Sequence, residues 1–320
     1  MKIGIVGTFI RDRIFPFKGE PQESIGGIFF TVSFLANLVA DGTEIYPISF
    51  VGEDFYDLLV ERLSEYKNIR LDGVKKITRK HTQVKLVYTA PQERYEITTE
   101  PMPPLTFSEL ETVNDADAAL VNLITGVDVD LSALAQFRKQ SPALLYLDFH
   151  TRAMGINEVG RRYYRRPDDW QDWIKLTDVL QLNEMEARTL AGLGIAASGE
   201  RLLEFGKGCL EIGPQVCHIT LAEQGSLLFD LHNSQMRVER IKAFPVKNVV
   251  DIIGCGDAFA AGYIVKYFAT GDVVQATKFA SKVAAINCTF IGSSGAREIL
   301  NLLHKYDSEH SVHRSTIWRA

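Results

Sequence analysis

Residues Asn248 to Gly262 read NVVDIIGCGDAFAAG, and the rest of the chain is understood outward from this stretch. An apolar, β-favouring run ends in Gly254-Cys255-Gly256, a single carboxylate follows at Asp257, and a small-residue segment then takes on helical character. A strand-to-helix turn of this kind aims backbone N–H groups at one spot. Its glycines let a ligand approach the main chain, and the helix start adds partial positive charge, so an anion such as a phosphate is favoured there. A carboxylate beside that spot has a use if it removes a proton from the group attacking the anion. Two plainer accounts compete. Gly254 and Gly256 could form a tight turn with Asp257 capping the helix, which is how an isolated GxGD would be read. A dinucleotide fingerprint would need a third glycine where Phe259 stands and would open a first βαβ unit, whereas this motif comes late.

Upstream, buried strands alternate with helices. Strands are expected at Ile3–Val6, Glu44–Phe50, Ala118–Ile124, Ala143–Phe149, Val179–Leu182 and Val216–Leu221. Helices are expected at Ile28–Val39, through Leu59 and Leu63, and at Leu131–Arg138, Glu186–Ala191 and Glu200–Ile212. Thr106 and Glu109 have the spacing of a capping box. Ser226–Leu231 and Gln235–Ile241 add two β segments before the opening motif, and a helix over Val273–Asn287 follows it. This βαβα rhythm predicts an α/β fold on a mostly parallel sheet. It breaks between about Ile69 and Glu100, where Thr82–Thr89 and Arg94–Thr98 flank Ala90-Pro91-Gln92-Glu93 as a hairpin. With Arg11 to Phe17, the hairpin could make a small β-sheet lid; an ordinary surface hairpin is the alternative. One core over residues 1–306, with lid segments at about 11–25 and 80–100 and a polar tail over 307–320, is simpler than two domains.

The 320-residue chain is long enough to bury a large core, and its 46% hydrophobic and 23% charged residues are an ordinary globular balance. A formal charge of −5 offers no general basic field for nucleic acid or an anionic membrane. No apolar run reaches the roughly 20 residues of a membrane span. The N-terminus lacks a signal-peptide pattern, and the four cysteines show neither CxxC spacing nor a disulfide framework, so a cytoplasmic setting is expected.

Three further constellations bear on chemistry. Asn183 and Glu186, at a strand-to-helix junction, could face a hydrated cation or a phosphate, or could simply cap the helix. Thr220 and Gly225 in TLAEQG suit a nucleotide phosphate or any hairpin, and Gly26-Gly27 could admit a substrate against bare backbone or form a turn. Taken in this order, the pieces resemble the ribokinase (PfkB) carbohydrate kinase family over nearly the whole chain. They are GTFIRD (Gly7 to Asp12), Gly26-Gly27, VGED (Val51 to Asp54), TDVLQLNEMEA (Thr177 to Ala187), TLAEQG (Thr220 to Gly225) and DIIGCGDAFAAG (Asp251 to Gly262). The last is similar to the family signature written DTxGAGD.

The resemblance implies a three-layer α/β/α ribokinase-like core with a predominantly parallel central sheet and a small β-sheet lid. It implies Asp257 as the base acting on a substrate hydroxyl, with the N–H groups around Gly254, Cys255 and Gly256 as the anion hole for the transferring phosphoryl. Asn183 and Glu186 would organise Mg²⁺ and phosphate, Glu186 through water, while Thr220, Gly225 and Ser281 match ATP-side positions. Asp12, Gly26, Gly27, Thr31 and Arg152 match substrate-side positions, and Asp251 with the Ile253 carbonyl falls where many members bind K⁺. The lid is a candidate homodimer interface. No P-loop motif GxxxxGK[ST] is present, and a GxGD turn is a different route to the positioning and charge stabilisation that phosphoryl transfer needs.

The departures from the family pattern point to an altered substrate pocket. Ile252 and Ile253 replace two threonines, Cys255 an alanine and Ala222 a glycine. Thr31 stands for an asparagine, with Phe29 and Phe30 beside it. His150 stands where the DxNxR segment has asparagine, so Arg152 is weighed between a substrate role and a surface salt bridge. Arg161, Arg162, Arg165 and Arg166 are read as i,i+4 pairs on a helix with a solvated face, with contact to a phosphorylated substrate as the alternative. His310 and His313 have metal-like spacing but lie in the polar tail. Cys255 is read as a small packing residue, with an unusually reactive, ATP-protected thiol at the helix start as the alternative. The expected activity is ATP-dependent phosphorylation of a hydroxyl on a sugar or sugar derivative. The alternatives are a nucleoside kinase, with Phe29 and Phe30 stacking on a base, and a sugar-binding regulatory protein without turnover.

Overall fold

The central apolar runs of this chain are long and uninterrupted, the pattern of strands covered on both faces. In a computed structural model that describes residues 1–90, 93–233 and 235–315, they assemble into one large sheet. Its strands are β1 (Lys2–Val6), β4 (Glu44–Gly52), β5 (Val74–Ile77), β8 (Ala118–Asn122), β9 (Leu144–Asp148), β12 (Val179–Asn183), β13 (Val216–Thr220), β14 (Ser226–His232) and β15 (Gln235–Ile241), in the order β15-β14-β13-β12-β9-β8-β1-β4-β5. Pairing is parallel from β5 through β13, and β14 and β15 continue the sheet antiparallel.

Side chains alternate between two cores, as the pleat requires. Ile5, Leu120 and Tyr146 face one helical layer, made of α1 (Phe29–Leu38), α2 (Tyr56–Leu63), α8 (Cys255–Thr270), α9 (Val273–Asn287) and α10 (Ile299–Ser315). Val121, Leu147 and Leu182 face the other layer, made of α3 (Phe107–Leu110), α4 (Leu131–Gln140), α5 (Trp170–Ile174), α6 (Glu184–Ala191) and α7 (Gly199–Ile212). The three-layer α/β/α core expected from the sequence is therefore present. Helix α8 is buried from Asp257 through Ile264, which its small and apolar composition allows. Phe259 and Tyr263 anchor it against the sheet at 2% and 0% exposure. Truncating Phe259 to Ala would cost about 3–5 kcal/mol and loosen the helix that carries Asp257.

A second sheet has the order β3-β2-β6-β7, with β2 (Phe9–Phe15), β3 (Gln22–Gly27), β6 (Gln83–Ala90) and β7 (Glu93–Thr98). The hairpin pairs in parallel with β2 through Arg11 and Gln83, so it is more than an isolated surface hairpin. Pro91 and Gln92, at its expected turn, lie outside the described residues.

The arginine-rich connection differs from the expected solvated helix. It forms an antiparallel pair, β10 (Met154–Ile156) and β11 (Arg162–Tyr164), and Arg161 bridges to Ile97 of β7. Residues 161–166 read Arg-Arg-Tyr-Tyr-Arg-Arg, so the i,i+4 spacing of the arginines is real, but the stretch is held as a strand by its pairing with Met154–Ile156. Arg161 lies over the Tyr95 ring and Arg166 over the Trp170 ring. At the other end of the chain, α10 continues through Asp307 to Ser315, into the stretch expected as a tail. Residues 316–320 and the side chains of His310 and His313 lie outside the described residues.

Candidate active site

The parallel strands end side by side, and their last residues are polar: Asn122 on β8, Asp148 on β9, Asn183 on β12 and Thr220 on β13. In an open α/β sheet this edge is where ligands bind. The start of α8 meets it. Gly254 takes φ +77°, and a Cβ there would stand 2.7 Å from the Phe30 ring, so both conformation and contact demand glycine. The turn therefore packs directly on α1.

Asp257, in the first turn of α8, is 7% exposed. Its Oδ1 accepts the Thr31 hydroxyl at 2.6 Å and the Asn122 amide at 2.9 Å, and Asn122 also donates to Thr31 at 3.0 Å. Burial pushes the carboxyl up to about 7, against the lowering effect of the Thr31, backbone and Asn122 donors. A base in this range is matched to proton abstraction near neutral pH. Thr31 is 0% exposed and spends its hydroxyl on Asp257, so it acts in the structure as a holder of that carboxylate. Sequence reasoning did not single out Asn122; its position as the last polar residue of a buried strand was the available signal.

Two more buried carboxyls stand nearby in electrostatic reach. Asp148 is held well above its ordinary range by burial and by the charges of Glu186 and Asp257. Glu186 is raised by burial, opposed by the Asn183 N–H. Asn183 and Glu186 form a full capping box on α6: Asn183 Oδ1 accepts the Glu186 N–H, Glu186 Oε2 accepts the Asn183 N–H, and Oε1 accepts Nδ2 at 2.5 Å. The helix-cap alternative is thus realised in the fold.

Gln181 Nε2 donates to the Gly256 carbonyl at 3.1 Å, and the Tyr146 hydroxyl donates to Gln181 Oε1 at 2.6 Å, so the turn is also braced from the sheet. Both glutamine and tyrosine were read only as strand residues.

The substrate-side positions gather on the small sheet. Asp12 lies on β2 and Gly26 on β3, and a Cβ at Gly26 would stand 2.0 Å from Asp12 Oδ2. Arg162, from the misread connection, is buried here. Its Nε donates to Thr98 Oγ1 at 3.1 Å, it pairs with Glu96 at 3.8 Å, and it feels the charges of Asp12 and Asp128. Burial holds its guanidinium below the usual arginine range. Arg152 is committed elsewhere: it donates to Asp169 at 2.5 Å and to the Gly126 carbonyl at 3.1 Å, and lies over the Trp173 ring. The salt bridge is therefore the role its contacts support.

The expected nucleotide-side residues are not drawn together by hydrogen bonds. Thr220 Oγ1 reaches the Leu182 carbonyl at 3.5 Å, and Gly225, at φ +90°, lies against the Ile241 carbonyl, so its glycine is explained by the turn into β14. Ser281 is 8% exposed with no partner among the described residues. Phe29 and Phe30 are 8% and 5% exposed, and Phe30 packs on Gly254. The rings are thus part of the core, which removes the support they lent to base stacking.

Among the described residues no group of three or more His, Cys, Asp or Glu side chains could hold a metal ion directly. Mg²⁺ would fit the site only through its own waters, as it commonly binds. The monovalent-cation loop fits less well. Asp251 Oδ1 accepts the Ile253 N–H, Oδ2 accepts the Gly292 N–H, and the Ile253 carbonyl accepts Asn287 Nδ2 at 2.9 Å, so the loop is closed by its own donors.

Of the two readings of Cys255, a small packing residue and an activated thiol, its contacts support the first. Its Sγ lies 3.2 Å from Cys288 Sγ, and that contact together with burial drives its thiol far upward.

The sequence matches the family model described as "pfkB family carbohydrate kinase" over residues 34–299. None of the curated proteins matches it. Among solved structures, the fold is similar to ribokinase from Thermotoga maritima (TM-score 0.76, 19% identity, covering 95% of this chain and 99% of that one). It is similar to Arabidopsis thaliana ribokinase complexed with ribose and ATP (TM-score 0.74, 20% identity, 94% and 98% covered). It is also similar to a pyrophosphate-dependent kinase in the ribokinase family (TM-score 0.71, 18% identity, 94% and 100% covered). No described helix is long and apolar enough to cross a membrane.

Proposed function

Because the chain belongs to the pfkB family of carbohydrate kinases, we propose that it transfers the γ-phosphoryl group of ATP to a hydroxyl of a sugar or sugar derivative. The observation that carries this is a buried carboxyl, Asp257, pushed up to about 7 and aimed by Thr31 and Asn122 beside a glycine turn at a helix start. In this reading Asp257 takes the hydroxyl proton as the oxygen attacks the phosphorus. The N–H groups around Gly254, Cys255 and Gly256 stabilise the charge on the transferring phosphoryl. Mg²⁺ supplies charge neutralisation on the phosphates, with Glu186 acting on it through water. Asn183, Thr220, Gly225 and Ser281 border the nucleotide, and Asp12, Gly26 and Gly27 border the acceptor.

Arg162 supports an acceptor pocket of mixed charge. Beside Asp12, Glu96 and Asp128 its charge is largely balanced, which suits a polyhydroxylated acceptor that both accepts and donates hydrogen bonds.

Phosphate transfer from ATP, and from pyrophosphate as a second donor, is to be measured across a panel of sugars, sugar phosphates and nucleosides. Turnover on a sugar with ATP supports the reading, turnover on nucleosides alone would replace it with a nucleoside kinase, and binding without turnover on any acceptor would replace it with a regulatory protein. A homodimer through the small sheet belongs to the same proposal; a strict monomer by light scattering would remove it.

A further inference from the structure

Two of the four cysteines meet at the catalytic turn. Cys255 is the first residue of α8, between the two glycines, and Cys288 follows the last residue of α9. Their sulfurs are 3.2 Å apart, and both residues are partly exposed, whereas Cys209 and Cys217 are 1% and 0% exposed. The surrounding contacts tie the same two points together. Asn287 Nδ2 donates to Cys255 Sγ at 3.3 Å and to the Ile253 carbonyl, and the Cys288 carbonyl accepts the N–H groups of Val250 and Asp251. The segment leading into the anion turn thus already hangs on the end of α9, and only a covalent bond is missing.

We propose that Cys255 and Cys288 are an oxidative modification site, at which a reversible disulfide disables the anion-binding turn. With hydrogen peroxide as the oxidant, one sulfur attacks a peroxide oxygen, the O–O bond breaks, and a sulfenic acid and one water result. The second sulfur then attacks the sulfenic sulfur, the S–O bond breaks, and the S–S bond forms as a second water leaves. The two thiol protons end in the two waters, and peroxide is reduced as both sulfurs are oxidised. A disulfide is about 2.05 Å long, so the sulfurs must close by roughly 1.2 Å from their present separation. Cys255 carries one of the N–H groups assigned to the phosphoryl oxygens, and a misplacement of about 1 Å at such a group is worth on the order of a hundredfold in rate.

The effect on rate rests on the kinase reading; formation of the bond does not. The full-length protein is treated with peroxide and then with dithiothreitol. Intact mass and non-reducing peptide mapping are read beside ATP turnover. The expected result is loss of two hydrogens, a Cys255–Cys288 linked peptide, a fall in turnover of about a hundredfold, and full recovery on reduction. Cys288→Ala and Cys288→Ser should turn over like the reduced protein and resist peroxide. No Cys255–Cys288 peptide, a link between Cys209 and Cys217 instead, or equal peroxide loss in both Cys288 variants would overturn the proposal. A protein that forms the linked peptide but phosphorylates no acceptor would sink the kinase reading alone.

Discussion

The Asn122 amide lies 2.9 Å from Oδ1 of Asp257, across 135 positions of sequence, and shares that oxygen with the Thr31 hydroxyl. One residue ends a central strand, one opens a helix on the sheet's face, and the third stands in α8. Their convergence at the strand ends fixes the carboxyl that follows the glycine motif and sets its basicity.

Asp257→Asn keeps the size of the side chain and removes its basicity. The expected outcome is a fold and ATP affinity like the parent and a turnover lowered about a hundredfold to ten-thousandfold, the usual worth of a general base. Calorimetric ATP binding beside steady-state kinetics checks it, and near-parental turnover would take Asp257 out of this role.

Asn122→Ala and Thr31→Val each remove a donor that favours the ionised carboxylate, so the carboxyl should titrate higher than its present value of about 7. A hydrogen bond to a charged group is worth roughly 1.5–3 kcal/mol, or about one to two pKa units. The acid limb of the kcat/KM profile should therefore move to higher pH in both variants. A limb that stays in place while the rate simply falls would mark these residues as structural only.

Stability should fall as the pH rises. Asp257, Asp148 and Glu186 all have folded-state values raised by burial, so the folded chain holds protons that the unfolded chain releases from about pH 4 upward. Their contribution is fully present below about pH 4 and is lost as the pH climbs through about 7 for Asp257. Melting temperatures across pH 5 to 8, on the order of those bounds, should decline for the parent. Asp257→Asn should be more stable than the parent at the alkaline end, by about 1–3 kcal/mol. A flat profile for both proteins would contradict the assignment.

Glu186→Gln separates capping from cation chemistry, because glutamine also completes a capping box. The melting temperature should hold while the Mg²⁺ concentration for half-maximal turnover rises about tenfold or more. Titration of Mg²⁺ at fixed ATP measures this, and an unchanged requirement would leave Glu186 a cap and nothing else.

The loop at Asp251 is closed by the Ile253 and Gly292 N–H groups and by Asn287. Replacing K⁺ with a bulky ammonium at constant ionic strength should leave turnover within about twofold, a change of under half a kcal/mol. Strong K⁺ activation would show that the loop opens to bind it, and Asn287→Ala would then be expected to enhance it.

What could be read in one dimension was whatever depends on near neighbours in the chain. Runs such as Ala118 to Ile124 and Val216 to Leu221 declare buried strands by composition, and Gly254-Cys255-Gly256-Asp257 declares an anion turn with a carboxylate by the local demands of backbone geometry and helix charge. The α/β sheet followed from those signals, and the three-layer core and the kinase family from the resemblance that the motifs carry together. The connection at 161–166 shows only arginines at helical i,i+4 spacing in its own sequence, whereas its strand pairing depends on β10 and on Ile97, neither of which is a near neighbour of Arg161 along a helix.

Only the tertiary structure decided which polar residues share a space. It set the Thr31 hydroxyl on Asp257, Arg152 on Asp169, and Phe29 and Phe30 into the core; it brought Asn122, Gln181 and Arg162 in. The physical reason is that burial and hydrogen bonding set a carboxyl's basicity, and both are made by residues more than a hundred positions away. The turn around Asp257 was legible from its own sequence; the raised carboxyl of Asp257, and the Cys288 sulfur beside the turn, exist only in the folded chain.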